Sequence, residues 1–250
     1  MTYKWDQEQI EHYERNAIEY SQLYNSTYEE TFHFNYIFNN FIKFLSLDRG
    51  SRIIEMGCGT GRYTIPLLKK GFNLYGIDFS KESLKILRND SQKNDLNGSL
   101  KGLIVATGNE IPIRKDSFDA AICVHVLHHV PYIKKVIIEM TKVVRKGGVV
   151  ACLEPNPFCP YWYISIPING LKKWNIEKGL VRCTDSNFRS IFKSAGLTNI
   201  KIENRGFIPP KLMDAPSLQN FCISIDKYMH STKLPFVKRL SAIHFVKGTK

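Results

Sequence analysis

The chain has 250 residues, 43% of them apolar and 23% charged, and a formal net charge of +12 at pH 7. That size supports one α/β domain with a proper core and is short for two large ones. No apolar run reaches the roughly 18 residues of a membrane span, the polar, acidic opening MTYKWDQEQIEHYERN is unlike a secretory signal, and no C-terminal lipidation box is present; a cytoplasmic location is expected.

The first 45 residues predict helix over 7–45, Glu-rich early and then aromatic, until Asp48-Arg49-Gly50 breaks the pattern. From residue 52 short β-rich runs alternate with helical ones. RIIEM (52–56) predicts a strand, GRYTIPLLKK (61–70) a helix, and FNLYGID (72–78) a second strand. Ser80 is placed to cap a helix over the following residues. Strands are predicted at 100–106, 119–124 and 149–154, with a helix at 132–145 stopped by Lys146-Gly147-Gly148. After a proline- and aromatic-rich stretch (155–174), the pattern predicts a helix at 185–195, a strand at 198–205, a loop at 206–217, a helix at 218–230 and a last strand at 242–248.

Strands and helices alternating at these lengths imply a doubly wound, mostly parallel sheet with helices on both faces. Ligands of such sheets bind at the carboxyl ends of the strands, near the switch point. Glu55 to Gly61, Asp78, Thr107 to Glu110, His125 to His129 and Glu154 to Asn156 are therefore expected on one rim.

The charge is uneven. Residues 1–50 hold 4 Lys/Arg against 8 Asp/Glu, and residues 160–250 hold 15 against 5. A basic C-terminal third suits an anionic substrate, a nucleic acid or a membrane surface, or is simply a solvated Lys-rich face. The six cysteines (58, 123, 152, 159, 183 and 222) form no C-x-x-C pair, so buried reduced thiols are expected rather than zinc ligands.

The strongest local signal is EMGCGTGRYT, Glu55 to Thr64. Gly57, Gly59 and Gly61 follow a strand and open a helix, where the backbone turns tightly and offers free N–H groups. A phosphate-binding P-loop requires a Lys-Ser or Lys-Thr that is missing here. A dinucleotide loop requires its third glycine one residue later, at a position held by Arg62. Glu55 would repel a pyrophosphate but suits a cation, so the ligand that fits is a nucleoside with a positively charged tail. Asp78, at the end of the second strand, is placed to accept two ribose hydroxyls, and Phe79 beside it to pack on a purine.

These segments, RIIEMGCGTGRYT, YGIDFS, IPIRKDSFDAAICVHVLHHV and VVRKGGVVACLEPN, in this order, resemble the class I S-adenosylmethionine-dependent methyltransferases over residues 10–156, and most closely the small-molecule, quinone-biosynthesis-like group. The resemblance implies a Rossmann-like, mostly parallel seven-stranded sheet with an N-terminal helical cap. It implies one methyltransferase domain over 1–250, divided into a cap (1–48), a cofactor-binding half (49–156) and a substrate-side half (157–250). Glu55 and the backbone of Gly57, Cys58, Gly59 and Gly61 would hold the methionine end of S-adenosyl-L-methionine, Asp78 the ribose, and Phe79 the adenine flank. Members usually carry an acidic residue or Asn, then a small residue, a few positions before a Leu-Pro pair. Here the pair is Ile111-Pro112 and the matching positions are Thr107-Gly108, so the Gly108 N–H, with Asn109 as a nearby substitute, is expected at the ring. Val124 and His125 would line the cofactor site, His125 beside the sulfonium. Ala17-x-x-Tyr20 matches an aromatic helix that closes over the cofactor, which makes Tyr13 and Tyr20 candidate lid residues, Tyr13 on the substrate side.

Methyl transfer from a sulfonium is an in-line displacement with a neutral leaving group, so positioning and desolvation carry much of it. A base matters only for an acceptor that must lose a proton, and histidine serves near pH 7. Three histidines crowd ICVHVLHHVP, Ile122 to Pro131. A metal site would need one helix carrying all three and a nearby carboxylate, but 119–124 is a strand and Pro131 opens the next helix, so 125–130 is a turn. No metal is expected. His128 and His129 are expected to bond backbone groups and hold the turn, leaving His125 as the candidate catalytic residue. Asn156-Pro157-Phe158 follows the fifth strand, whereas amino-methyltransferases of DNA and RNA carry Asn-Pro-Pro-aromatic after the fourth. Asn156 is therefore placed on a rim loop of an acceptor pocket, with Trp162, Tyr163 and the aromatic N-terminal helix making that pocket apolar.

The expected activity is methyl transfer to a small molecule, lipophilic or aromatic. The alternatives are a tRNA or rRNA methyltransferase, which the misplaced Asn-Pro pair disfavours, and a non-catalytic cofactor-binding protein on the same fold. A peripheral membrane contact through the basic C-terminal third is a further expected partner. The acceptor atom and the oligomeric state are not legible in the sequence.

Overall fold

The computed structural model describes residues 4–24, 31–168, 177–232 and 234–250. Helices α1 (Lys4–Tyr24) and α2 (Phe32–Leu45) precede an alternating series: β1 (Arg52–Met56), α3 (Thr64–Lys69), β2 (Asn73–Asp78), α4 (Lys81–Lys93), β3 (Leu100–Val105), β4 (Phe118–Val124), α5 (Ile133–Val143) and β5 (Val144–Pro155). The second half adds α6 (Pro160–Ile168), α7 (Asp185–Ser194), β6 (Thr198–Arg205), α8 (Pro210–Met213), α9 (Gln219–Ser231), α10 (Pro235–Lys238) and β7 (Ile243–Thr249). Short 3₁₀ turns lie at Leu127–His129, Lys178–Arg182 and Pro216–Leu218.

The seven strands form one sheet in the order β3-β2-β1-β4-β5-β7-β6. The first five run parallel, and β7 pairs antiparallel with both β5 and β6. The order reverses between β1 and β4, which opens the ligand crevice at their carboxyl ends. No helix among the described residues is long and apolar enough to cross a membrane.

Helix ends follow sequence chemistry. Thr31, Ser80 and Thr184 sit in extended conformation just before α2, α4 and α7, and each side-chain oxygen accepts a backbone N–H from the first turn. The aromatic face of α2 packs on the sheet, with Phe41 edge-on to Phe245 of β7 at 5.2 Å. With α3 and α4 it covers one face of the sheet, and α5 and α7 cover the other.

The helix expected over 7–45 is two helices, and residues 25–30, between them, lie outside the described residues. The helix expected from 61 begins at Thr64, because Gly61 is spent on the loop. The lysine–glycine stop before β5 lies inside that strand: β5 begins at Val144, opposite Phe118, and its register slips before Val149. A Cβ on Gly148 would lie 2.5 Å from Val144 Cγ1 and 2.7 Å from the Asp119 carbonyl, so only glycine fits this bulge. The proline-rich stretch holds α6, and the loop expected over 206–217 holds α8, where Pro210 opens the turn.

Candidate active site

The glycine loop takes its shape from three left-handed residues: Gly57, Gly59 and Gly61 have φ of +67°, +51° and +99°. A Cβ on Gly57 would lie 2.4 Å from Val126 Cγ2, and one on Gly61 2.5 Å from Leu87 Cδ1. A Cβ on Gly59 would meet no protein atom within 4 Å. The loop folds over the end of β2, where the N–H groups of Gly57 and Cys58 both donate to the Ile77 carbonyl, at 2.7 and 3.1 Å. Asp78 completes the junction: its Oδ2 accepts the Gly59 N–H and its Oδ1 the Ser80 N–H, each at 2.8 Å. Burial pushes this carboxyl up to about 6, against the pull of those N–H donors. Glu55 is buried behind the loop. Burial pushes it up to about 8, opposed by a 2.7 Å hydrogen bond from the Thr64 hydroxyl and reinforced by the Asp78 charge.

Loop, strand ends and α1 enclose a cavity of about 140 Å³, with Gly57, Gly59, Asp78, Phe79, Thr107, Gly108, Val124 and His125 in its wall. α1 is its roof. Tyr13 sets its ring against Phe79, Tyr20 and His129, and its hydroxyl lies 3.0 Å from His129 Nε2. Glu14 accepts the Lys81 N–H at 2.8 Å and the Glu82 N–H at 3.4 Å, joining the roof to the positive end of α4.

The histidine turn keeps its three rings close, His128 and His129 at 3.8 Å and His125 and His128 at 6.3 Å between centroids, but gives each different partners. His125 ends β4 with φ of +56°, in the left-handed region that a histidine rarely adopts. Its N–H is fixed by the Leu153 carbonyl at 2.8 Å. Burial, then the charges of Arg62 and His128, hold its imidazole well below the ordinary histidine range, so it is neutral. His128 is the opposite case. Its Nδ1 lies 2.6 Å from Glu154 Oε2 and its Nε2 3.1 Å from Glu177 Oε2. Burial disfavours the charge, but the Glu154 and Glu177 carboxylates outweigh it and raise His128 to about 9. Burial likewise opposes ionisation of Glu177, and the His128 hydrogen bond and charge overcome it, holding Glu177 at about 2. Glu154 Oε1 also accepts the N–H groups of Val126 and Leu127, at 2.9 and 2.8 Å. From outside, Arg182 donates to the carbonyls of His128 and Val130, and the turn approaches Gly179 so closely that a Cβ there would lie 1.8 Å from the His128 carbonyl oxygen.

A second cavity, of about 350 Å³, lies beyond the turn. Its wall combines α2 (Phe34, Ile37), Tyr63, α6 (Trp162, Ile166), Leu180 and the segment Gly206–Pro210, with Arg62, His33, His128, Ser165 and Glu177 among its polar members. Tyr13, Tyr20, His125 and His129 line both cavities, so the two meet at those four side chains.

Residues 54–152 match the family described as a methyltransferase domain. The demethylmenaquinone methyltransferase of Bacillus velezensis is 28% identical over 182 residues, 64% of this chain and 76% of that protein. Its counterpart from Oceanobacillus iheyensis is 31% identical over 118 residues, and there the chain spans about half (49%) of the relative's length. Among solved structures, an S-adenosylmethionine-dependent methyltransferase of Thermotoga maritima, described as a possible histamine N-methyltransferase, superposes with a TM-score of 0.67 at 18% identity, covering 96% of this chain and 99% of that one. Phosphoethanolamine N-methyltransferase 2 of Haemonchus contortus, solved with S-adenosyl-L-methionine, gives 0.66 at 14% identity over 95% of this chain and 57% of that one. At such identities the superpositions show the fold alone.

Residues 54–152 thus carry a methyltransferase domain, on the fold of S-adenosylmethionine-dependent methyltransferases. Most residues expected at the cofactor surround the smaller cavity. Glu55, Cys58, Gly61 and Asn109 are not in its wall. Glu55 and Gly61 lie behind and under the loop, and the Cys58 side chain packs beneath it, 2.6 Å from where a Gly76 Cβ would stand. The Asn109 side-chain oxygen is buried without a hydrogen-bond partner. Tyr13 and Trp162, expected at the acceptor pocket, line the larger cavity. Asn156 does not. It is fully buried, and its Nδ2 donates to the Ser241 carbonyl at 2.8 Å and the Lys238 carbonyl at 3.2 Å, tying the end of β5 to the segment before β7. His128 and His129 were expected to bond backbone through their rings; their side-chain partners are Glu154, Glu177 and Tyr13 instead. The nearby carboxylate that the turn lacks in sequence thus arrives from two distant segments. Ligand atoms of His128, His129 and Glu177 lie within 4.8 Å of one another, but both ring nitrogens of His128 face carboxylates and the ring is cationic, the state of an ion triad rather than of a metal ligand. Arg62, Tyr63, His33 and Glu177 are site residues that carry no sequence signal of their own. Only Arg62 and Tyr63, inside the glycine motif, stood near enough to it to be picked out.

Proposed function

We propose that the smaller cavity holds S-adenosyl-L-methionine, that the larger one holds a lipophilic, aromatic acceptor, and that the methyl group passes where the two meet. The observation that carries this is the shared wall of Tyr13, Tyr20, His125 and His129 between a glycine-lined cavity that reaches the Asp78 carboxylate and a larger one that mixes aromatic side chains with histidines. The first cavity fits its ligand. Gly59 leaves open space where a Cβ would stand, and the Asp78 carboxylate, pushed up by burial, gains from hydroxyl donors and a nearby cation. Asp78 is assigned to the ribose, Phe79 to the adenine flank, and the Gly108 N–H to the ring edge. Glu55 acts through the loop: it holds Thr64 from behind and adds negative potential under the cationic tail.

When bound, S-adenosylmethionine supplies a methyl group on a sulfonium, whose carbon–sulfur bond breaks with its electron pair left on sulfur as the acceptor atom bonds the carbon. The residues here orient and dehydrate that exchange. The α1 roof, latched by Tyr13 to His129, excludes water. His125, neutral and set by its strained backbone at the junction, takes the proton from an acceptor atom that must lose one. The curated relatives are named for demethylmenaquinone, and a reduced quinone, with its hydroxylated ring and long apolar tail, suits the mixed aromatic and histidine wall of the second cavity. The six buried thiols agree with a reducing, cytoplasmic setting.

Calorimetry with S-adenosylmethionine and S-adenosylhomocysteine on wild type and Asp78→Ala tests the first cavity. Wild type is expected to bind both, with affinity falling at least tenfold in the variant; equal binding would remove Asp78 from its role. Methyl transfer to reduced demethylmenaquinone tests the second, and incorporation into water-soluble amines only would overturn the acceptor class.

A further inference from the structure

The outer surface of the substrate-side half has an unusual composition. Fourteen large apolar side chains are exposed among the described residues, and twelve of them lie between Phe158 and Leu240. Phe221 (64% exposed) and Tyr228 (73%), seven residues apart, share one face of α9, and Phe236 (63%) stands on α10. These elements are one surface. α9 packs on α8 and α10. α6 is tied to the segment after α10 by the Trp162 Nε1–H, which donates to the Ala242 carbonyl at 2.7 Å, and by Cys159 Sγ, 3.4 Å from the Leu240 carbonyl.

The charge exposed on these segments has one sign, with Glu203 of β6 beside α9, 3.8 Å from His230. Residues 157–168 carry none. Between residues 206 and 242 the cations Lys211, Lys227, Lys238 and Arg239 are exposed. Both carboxylates of that stretch are turned to backbone and side-chain donors: Asp226 accepts from the Tyr36 hydroxyl at 3.0 Å and the Phe207 N–H at 2.8 Å, and Asp214 from the His33 N–H at 2.7 Å. An ordinary solvated surface intersperses both signs and shows few large apolar groups. Protruding aromatic and aliphatic side chains among cations are the chemistry of an anionic lipid interface. Tyr161 and Leu240, exposed on this face, also line the larger cavity, as do Phe207 and Pro210.

We propose that the face formed by α6, α9 and α10 docks on an anionic lipid bilayer, so that a lipophilic acceptor reaches the larger cavity from the membrane rather than through water. Docking is independent of methyl transfer; the route rests on the acceptor reading given above. The full chain is sedimented with vesicles of phosphatidylcholine alone and of phosphatidylcholine mixed with phosphatidylglycerol. Partition onto the mixed vesicles is expected, weakening with salt and falling about fivefold for each of Lys227→Gln, Lys238→Gln and Arg239→Gln. Phe221→Ser with Phe236→Ser is expected to lower it on the order of tenfold. None of these residues touches either cavity, so calorimetric cofactor binding should be unchanged and reports that the variants fold. No partition onto anionic vesicles, or partition indifferent to both sets of variants, would overturn the proposal. So would a wild-type dimer that the serine pair makes monomeric, which gives the face to a second copy. Retention of tRNA, without vesicle binding, lost in the glutamine variants would give it to nucleic acid. A wild type that partitions but binds no cofactor would sink the catalytic reading and leave docking standing.

Discussion

Replacing Glu154 by Gln isolates the ion triad under the histidine turn. The His128 and Glu154 side chains are 4% and 0% exposed, so solvent screens their 2.6 Å contact very little. Raising His128 from 6.5 to about 9 corresponds to about 3 kcal/mol of favourable interaction in the folded state. Glu154 supplies the larger share, since its charge and hydrogen bond both outweigh those of Glu177. The amide keeps an oxygen for the N–H groups of Val126 and Leu127, so Glu154→Gln removes the charge and spares the turn. The sign follows from linkage. A histidine raised in the folded state adds stability that is complete below the unfolded value of 6.5 and disappears as pH rises through about 9. The variant should therefore be about 2–3 kcal/mol less stable than wild type in urea at pH 6, and nearly level with it at pH 10. A deficit equal at both pH values would refute the electrostatic account and leave only altered packing. Stoichiometric zinc or iron in the purified protein, with chelator lowering its stability, would replace the triad by a metal centre.

Cofactor affinity should rise with pH between about 6 and 8. Glu55 and Asp78 are protonated in the unliganded protein below about 8 and 6, and a cationic ligand binds best when both are ionised; calorimetry across that range checks it, and a flat profile counts against both roles. The unliganded protein should lose stability over the same rise in pH, because the folded state holds these protons more tightly than the unfolded chain, and S-adenosylmethionine should restore it. Gly57→Ala should cost more than Gly59→Ala in urea unfolding. Both force a side chain into φ near +60°, for about 1–2 kcal/mol, but only the first also drives a Cβ to 2.4 Å from Val126. Tyr13→Phe removes the hydroxyl at His129 while keeping the ring packing on Phe79 and Tyr20, so stability should change by less than about 1 kcal/mol while turnover falls; unchanged turnover would dismiss the latch.

The parallel half of the fold was legible because each strand and helix there announces itself within a few residues. RIIEM is buried from Ile53 to Met56 and pairs on both sides, so its apolar run needs no distant context. Ser80 and the three glycines mark boundaries through local backbone chemistry. The second half is less periodic. α6 (PYWYISIPI) has no polar face to mark a helical period, and four-residue α8 is too short to show one. The lysine–glycine pair before β5 misled because Gly148 answers a steric demand from Asp119, on the neighbouring strand, rather than ending a helix.

The site divides along the same line. Asp78, Gly57 and Gly59 could be placed at the cavity from sequence because a backbone crossing two strand ends needs particular residues at particular offsets. The three histidines were grouped correctly and given the wrong partners. Spacings of three and four suggest one helical face; a left-handed residue at His125 and a 3₁₀ turn stand there instead, and although the His128 and His129 rings stay 3.8 Å apart, each meets a different partner. His128 meets Glu154 across 26 residues, and Glu177 lies 49 residues away; His129 meets Tyr13 across 116. Asn156 fails for the same reason, because its amide serves backbone carbonyls more than 80 residues downstream. A polar side chain's environment is set by whichever segment the sheet order brings beside it. That separation also orders the histidines functionally. His128, charged and held between two carboxylates, fixes the turn, and its charge adds to burial and to the Arg62 charge in keeping His125 neutral.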